Sequence, residues 1–357
     1  MGMRRTSSSD TTTEITTTET TTTTSMDGGG DGGMDGGGMG GACYIYTNVT
    51  ATPGLATPDV TYNRGIDMQI PLTMDDGNTI NMWGFTDGGG GGMGGMGGGG
   101  TFPSAAMRVK TGQIVHTNLN VNMMWAHTIH HHGIEPEYHS DGVGHISFDV
   151  LGDTYTYQWR PAHPGTYFYH CHTNTVLHAE MGMYGALIVD PPEGVGTLYS
   201  GGPTYDVEAF WVVDEIDSSW HTLPWDAGTC GGDVGLNELN PDYFVITGVD
   251  GSGNTAMNLP PISATVQRGQ KLLARYICAG YHPQKIRFGG LTGTVHISDG
   301  RVLPKPVQVN GLRACSGERY DIIFEPTQRG TFLIETDIIH WVTGEVLGTT
   351  RTNITVV

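Results

Sequence analysis

Two short windows of the sequence hold most of the side chains that can bind a transition metal. Of the 15 histidines, 11 lie between His116 and His178. The first window, residues 125–133, contains His127, His130, His131 and His132. The second window, residues 169–183, contains His170, Cys171, His172, His178, Met181 and Met183. Imidazole and thiolate groups are ligands for copper, zinc and iron, so we predict that the chemistry of this chain is metal chemistry in residues 116–183.

Two imidazoles, one thiolate and a weak thioether form the donor set of a blue (type 1) copper site, which suits one-electron transfer. We predict that Cys171 supplies the thiolate and that His127 and His178 supply the imidazoles. Met183 is the predicted axial ligand because Gly182 and Met183 lead directly into the next strand, and Met181 competes for that place. The alternative interpretation is a histidine-rich strand that binds zinc or binds metals adventitiously.

The residues that flank Cys171 indicate a second metal site. Side chains two residues apart in a strand point to the same side. His130 and His132 therefore share a direction, as do His170 and His172, while Cys171 points the opposite way. One His-Cys-His stretch can thus serve two metal sites.

These residues belong to a pattern of short β-rich runs. Apolar and polar residues alternate in several short runs, which Gly and Pro separate, and no long segment has the 3.6-residue period of a helix. These runs are residues 66–72, 113–116, 155–159 and 185–189. A Pro- and Gly-rich link, residues 191–203, leads to a second unit with the same pattern. Because residues 164–169 and 329–334 are similar, we predict an all-β chain with two tandem Greek-key sandwiches, 43–192 and 204–357.

Low-complexity segments precede and interrupt the first unit. Residues 6–25 are almost entirely Ser, Thr and Glu, and residues 26–42 are Gly with Met and Asp. Such segments bury little apolar surface, so residues 1–42 are a predicted disordered leader and residues 88–100 a predicted loop. The thioethers of Met34, Met39, Met93 and Met96 are soft donors suited to Cu(I). The alternative is a spacer without metal chemistry.

Composition and charge exclude several partners. A net charge of -19 repels nucleic acid and anionic lipid, so a neutral or cationic reductant is the expected partner. No apolar run is long enough to span a membrane, and Arg4 and Arg5 have no apolar segment after them, so no signal peptide is visible. We expect Cys278 and Cys315 to form a disulfide in the second unit.

The order of the motifs resembles the multicopper oxidases. His130-His131-His132-Gly133 is similar to their His-x-His-Gly signature. Asp141-Gly142, the strand at 155–159 and the stretch 165–172 follow in that family's order. The resemblance is strong over residues 60–192 and weak in the second unit. It implies cupredoxin-like domains and a laccase-like oxidase.

The resemblance also implies roles for individual residues. It implies that His130 is a type 2 copper ligand and that His132, His170 and His172 are type 3 ligands. Electrons from a small-molecule or metal-ion reductant would enter at type 1 copper and reach dioxygen at an inter-domain copper cluster. Asp141 would relay protons there, and the alternative for Asp141 is an ordinary Asp-Gly turn. In two-domain relatives the cluster lies between subunits, which implies a secreted or periplasmic trimer.

The second unit departs from the family's pattern. The family's trinuclear cluster needs four more histidines, and residues 204–357 contain only His221, His282, His296 and His340, with no His-x-His pair. His296 and His340 suit a mononuclear type 2 site of the nitrite reductase kind, which is one alternative. Nitrite reductases, however, lack a histidine at the place of His172 and carry aspartate at that of His130. A blue-copper electron carrier or copper-handling protein without a cluster is the other alternative.

Four further histidines of the first unit receive no ligand role. We expect His131 to face away from His130 and His132. His139 is expected in an exposed loop and His163 at a structural or surface position, while His145 is unassigned.

Overall fold

A computed structural model describes residues 55–88, 99–121, 123, 125–144, 147–152, 154–229, 234–246 and 262–357. The predicted leader, most of the loop at 88–100 with Met93 and Met96, and Cys43, Cys230 and His145 lie outside the described residues. None of the helices in the described ranges is long and apolar enough to cross a membrane.

The described residues form 19 strands, one α-helix and two 3-10 turns. The strands are β1 (Val60–Thr73), β2 (Thr79–Asp87), β3 (Ser104–Lys110), β4 (Val115–Asn120), β5 (His130–His132), β6 (Thr154–Trp159), β7 (Gly165–His170), β8 (Tyr184–Asp190), β9 (Val207–Ile216), β10 (Tyr243–Ile246), β11 (Ala264–Val266), β12 (Leu272–Cys278), β13 (Gln284–Arg287), β14 (Gly293–Ser298), β15 (Arg301–Val309), β16 (Gly311–Ala314), β17 (Arg319–Phe324), β18 (Gly330–Ile339) and β19 (Val346–Val356). The helix is α1 (Thr175–Glu180), and the 3-10 turns are Tyr138–Ser140 and Trp220–Thr222.

The first sandwich consists of two four-stranded sheets with the orders β2-β1-β4-β6 and β3-β8-β7-β5. In β6, alternate residues are buried, and Tyr155, Tyr157 and Trp159 point into the core. Strand β7 is buried along its whole length because it is covered on both faces. It therefore carries His170 and Cys171 into the interior.

The second sandwich repeats this plan with the sheets β10-β9-β12-β17-β14-β15 and β11-β19-β18-β13-β16. Strands β1 and β4 are parallel, as are β9 and β12. Gly165 begins β7 with φ +146°, and Gly330 begins β18 with φ +148°. This backbone conformation favours glycine. The predicted all-β chain built from two related sandwiches is confirmed.

The two sandwiches pack through apolar and ionic contacts. One apolar cluster joins Phe168 and Tyr184 of the first sandwich to Phe210 and Ile277 of the second. Beside it, the buried Arg275 donates a hydrogen bond of 2.9 Å to Asp321, whose carboxylate also accepts one from Thr166 in β7. The second sandwich thus lies against the strand that carries His170 and Cys171.

His178 lies in the short helix α1, which follows Asn174 in the left-handed conformation (φ 42°). One expectation needs correction. The predicted disulfide is wrong, because Cys278 and Cys315 are both free thiols. Cys278 is packed into the apolar core of the second sandwich, whereas Cys315 is exposed in the turn after β16.

Candidate metal centres

Cys171 and two histidines form a closed pocket at the end of β7. The Cys171 Sγ lies 3.4 Å from His178 Nδ1 and 3.7 Å from His127 Nδ1. All three residues are fully buried. The structure therefore brings together the thiol and both imidazoles of the predicted type 1 site.

The hydrogen bonds fix which nitrogen of His178 faces the thiol. Its Nε2 lies 2.9 Å from the Trp225 carbonyl oxygen, which can only accept a proton. Nε2 therefore carries the hydrogen, and the Nδ1 lone pair points towards Cys171. His127 Nε2 is buried with no hydrogen-bond partner among the described residues.

The protonation states suit a soft metal ion. Burial lowers the pKa of His178 to about 4 and holds that of His127 well below its usual value, so both imidazoles are neutral at pH 7. Burial also raises the pKa of the Cys171 thiol to about 11. A bound cation reverses this effect, since metal coordination deprotonates a thiol. The pocket thus offers two lone pairs and one ionisable sulfur, and it fits copper.

The backbone fixes Met183 beside this pocket. Its carbonyl accepts a hydrogen bond of 2.9 Å from Cys171 N, and its N–H donates one of 3.1 Å to the His178 carbonyl. The Met181 carbonyl instead accepts from Trp83 N. These contacts favour Met183 over Met181, and the axial role stays a prediction.

Gly182 allows the chain to turn between α1 and β8. Its φ is +101°, and a Cβ at this position would lie 2.7 Å from the Phe102 ring and 3.0 Å from the Trp83 carbonyl oxygen. Only glycine fits here without rearrangement. The turn brings the backbone of Met183 into hydrogen-bond contact with both Cys171 and His178.

A second group of histidines lies on the other side of Cys171. Strands β5 and β7 pair His130 directly with His170. Ligand nitrogens of His130, His132 and His170 lie within 4.8 Å of one another. The His172 ring centroid is 5.5 Å from that of His130 and 5.7 Å from that of His170. The structure thus groups all four predicted cluster histidines, which we call the histidine cluster.

Neighbouring oxygens orient these rings in a common way. The Nδ1 of His130 lies 2.7 Å from the Asp141 carbonyl oxygen, and that of His170 lies 2.9 Å from the Cys171 carbonyl oxygen. Each Nδ1 therefore donates, and each Nε2 keeps its lone pair.

His172 follows the same rule through a hydroxyl group. Its Nδ1 lies 3.1 Å from Thr175 Oγ1, and that hydroxyl donates its own proton to the His172 carbonyl. The Thr175 oxygen must then accept from Nδ1. Burial, followed by the positive charge of Arg319, lowers the pKa of His132 to about 3, so its imidazole is also neutral. The Nδ1 hydrogens leave Nε2 as the metal-binding nitrogen of His130, His170 and His172, and that of His170 lies 3.3 Å from His132 Nδ1.

Asp141 lies beside His130. Its Oδ1 is 3.5 Å from His130 Nδ1, in addition to the hydrogen bond that its carbonyl oxygen accepts. Gly142 after it has φ +73°, and a Cβ there would lie 2.0 Å from the Ile129 carbonyl oxygen. Asp141 thus occupies a tight turn and also orients a cluster histidine, and its role as a proton relay stays a prediction.

Among the described residues, His131, His139 and His163 belong to neither group. His131 points into the core, 4.8 Å from the Trp159 ring, as its position in the strand predicted. His139 is half-buried near Glu137, and His163 is exposed.

The second sandwich does not place its histidines at the cluster of the same chain. His282 Nδ1 contacts Glu215 at 3.1 Å and its ring lies 5.8 Å from that of His340. His296 lies near Tyr199 in β14. His221 Nδ1 donates to the Asn81 carbonyl. Among the described residues, none of these four belongs to a group of three metal-binding side chains.

The sequence patterns did not predict two structural features that lie near the metal-binding residues. Arg319 of the second sandwich lies close to His132, and an apolar cleft of about 330 Å³ lies beside His178. The cleft is lined by Met68, Gln69, Trp83, Trp125, Leu223, Pro224 and Trp225. The Trp83 ring meets the His178 ring edge-on at 5.4 Å. These contacts join residues distant in sequence, which periodicity alone does not reveal.

Two Greek-key sandwiches with a Cys-His-His pocket at the end of a buried strand define a copper protein of the cupredoxin class. More particularly, residues 89–194 match the family model for multicopper oxidase. This match covers less than a third of the chain, and copper is the cofactor that the family implies.

Individual relatives agree with this assignment. The chain is 28% identical over 264 residues to copper resistance protein A of Pseudomonas syringae pv. tomato, covering 64% of this chain and 42% of that protein. It is 40% identical over 146 residues to L-ascorbate oxidase of Cucumis sativus, covering 39% and 22%. The chain therefore spans less than half the length of these relatives.

Solved structures extend the likeness over both sandwiches. The blue copper oxidase of Nitrosomonas europaea matches with a TM-score of 0.65 and 25% identity, over 83% of this chain and 86% of that one. A copper nitrite reductase from the same organism matches at 0.58 and 17%, over 84% and 93%, and shows the fold alone.

Proposed function

We propose that this protein is a copper-dependent oxidoreductase that takes single electrons from a reductant and delivers them to dioxygen. The observation that carries the proposal is the position of Cys171. Its sulfur faces His127 and His178, while its two neighbours in sequence, His170 and His172, belong to the histidine cluster. Copper held at the two places would supply the one-electron chemistry.

The chain itself connects the two sites. Cys171 is bonded through its own backbone to His170 and His172, so an unbroken covalent path joins the two sites. The Cys171 carbonyl also accepts the hydrogen bond from His170 Nδ1. The same residue therefore supplies a sulfur to one site and orients a nitrogen of the other.

The cleft beside His178 is the entrance that the geometry favours for the reductant. The Trp225 carbonyl holds His178, and the ring of Trp225 stacks on that of Trp125 at 6.1 Å. None of the lining residues is charged. This favours a small organic reductant over a metal ion.

The incomplete cluster supports an oligomer. Four histidines converge from β5, β7 and the residues after β7, and among the described residues no second-sandwich histidine of the same chain joins them. We propose that a neighbouring copy completes the cluster, as a trimer by analogy, and that the protein works outside the cytoplasm.

Copper analysis and a Cys171→Ser variant test the proposal together. About four coppers per chain support an oxidase, whereas about two or one support a nitrite-reductase-like site or an electron carrier. Serine removes the thiolate but leaves the cluster histidines, so blue absorption and oxygen consumption should be lost while cluster copper is retained. Survival of the blue absorption in this variant would overturn the assignment of Cys171.

A further inference from the structure

One cation of the second sandwich reaches the histidine cluster within the same chain. Arg319 begins β17 and is 96% buried, with a relative exposure of 4%. Its guanidinium carbon lies 5.9 Å from the centre of the Phe168 ring. The other neighbours of that ring are His132 at 4.6 Å and His170 at 5.3 Å. Arg319 therefore lies one aromatic ring away from two cluster histidines.

Glycines at two positions allow this close approach. A Cβ on Gly133, the residue after His132, would lie 2.4 Å from the Arg319 Nη2. A Cβ on Gly317 would lie 3.1 Å from His132 Cε1. Both glycines have positive φ. A side chain at Gly133 would displace the Arg319 guanidinium, and one at Gly317 would crowd the His132 ring.

The positive charge of Arg319 is only partly neutralised. Its Nη1 donates to the Gly317 carbonyl at 2.6 Å and forms an ion pair with Asp299 Oδ1 at 3.1 Å. Its Nε is buried and has no partner among the described residues. The Asp299 side chain is 44% exposed, so water screens its charge more strongly than that of Arg319. The positive charge of Arg319 therefore acts on His132, whose pKa it helps to lower.

We propose that Arg319 is a positioning residue that favours small anions over neutral ligands on metal held by the histidine cluster. The inference rests on the proposed function, because it assumes copper at these four histidines. A buried cation attracts an anion in a low-dielectric site and has little effect on a neutral ligand of similar donor strength. The residue acts through charge and does not itself bind the metal.

The test measures the affinity of the copper-loaded full chain for azide and for neutral imidazole. Both titrations are followed by absorption and by the electron paramagnetic resonance of cluster copper. Arg319→Gln should weaken azide binding about tenfold and leave imidazole binding within about twofold. Arg319→Lys keeps the charge and should retain most of the azide affinity. Asp299→Asn removes the counter-charge and should strengthen azide binding about threefold.

Arg301→Gln is the matched control. Arg301 also pairs with a carboxylate, Glu135 at 3.2 Å, but its side chain is 45% exposed, so its loss should leave azide binding unchanged. Retained blue absorption and thermal unfolding temperature show that each variant is folded, and Asp299→Asn carries the test if Arg319→Gln does not fold.

Three results would overturn the inference. The first is an equal loss of azide and imidazole affinity in Arg319→Gln. The second is the same azide affinity in Arg319→Gln and Arg301→Gln. The third is an azide affinity of Asp299→Asn that equals that of the wild type. Absence of any cluster copper signal in the wild type would overturn the proposed function, and this inference with it.

Discussion

The two sandwiches share one backbone plan but differ in the chemistry of one corresponding pair of positions. In the first, His170 stands five residues after Gly165 and pairs with His130 across β7 and β5. In the second, Glu335 stands five residues after Gly330 and pairs with Arg287 across β18 and β13. Where the first sandwich has two metal-binding imidazoles, the second has an ion pair, with 3.2 Å between Arg287 Nη2 and Glu335 Oε2.

This difference accounts for the absence of a second-sandwich histidine from the cluster among the described residues. The strand register brings two side chains together in both sandwiches, but only imidazoles can bind copper there. An arginine has no lone pair for a metal, and its partner carboxylate is already neutralised. The fold therefore provides the place for a metal site, and the side chains decide whether it becomes one.

The largest effect is expected when the first sandwich loses cluster imidazoles that the second sandwich lacks. A His130→Ala, His132→Ala double variant should lose all cluster copper and all oxygen consumption. Blue absorption should persist, because Cys171, His127 and His178 are untouched. Copper analysis and the visible spectrum measure the two outcomes separately. Loss of the blue absorption as well would show that the two sites do not form independently.

The pH dependence of the copper-free protein should reveal the buried imidazoles. His178 has a pKa of about 4 when folded, against a usual value near 6.5. The unfolded chain therefore binds more protons between these values, and stability falls as pH decreases from about 6.5 to 4. This one residue should account for roughly 3 kcal/mol of that loss.

The measurement is urea unfolding of copper-free protein at several pH values. His178→Gln should flatten the dependence over this range, since glutamine does not titrate. The control is His340→Gln in the second sandwich. His340 is only half-buried and lies beside Thr343, so its replacement should change the slope of stability against pH little. An unchanged slope in His178→Gln would contradict the prediction.

A smaller effect is expected at the turn that separates His178 from Met183. Gly182→Ala forces a side chain into the left-handed region and against Phe102, which should cost about 1–3 kcal/mol of stability. It should also displace Met183 and shift the blue absorption band. Gly77 also has positive φ, but no atom lies within 4 Å of the place that a Cβ would occupy, so Gly77→Ala should leave the band in place. Chemical unfolding and the visible spectrum measure both variants.

The smallest effect should follow removal of the ion pair of the second sandwich. Arg287 is 40% exposed, and exposed pairs contribute about 0–1 kcal/mol. Glu335→Gln removes this pair but keeps the pair of Arg287 with Asp337, so it should change stability by less than about 1 kcal/mol and leave the copper content unchanged. A loss of copper in this variant would show that the second sandwich supports the cluster more directly than its side chains suggest.

The sequence by itself determined the fold class and the set of candidate ligands. Strand periodicity places alternate side chains on opposite faces, so the opposed directions of Cys171 and its neighbouring histidines follow from local geometry. The same reasoning predicted that His131 faces away from His130 and His132, and its ring lies against Trp159 in the core. Local patterns carry this information because each depends on residues adjacent in the chain.

Only the tertiary structure decided which groups from distant segments meet these residues. The Trp225 carbonyl selects the free nitrogen of His178 across 47 residues of chain. Arg319 reaches His132 from the other sandwich, and Cys278 and Cys315 are separated by the direction of their side chains. Such contacts depend on how the sheets pack, and no periodicity within one strand records that packing.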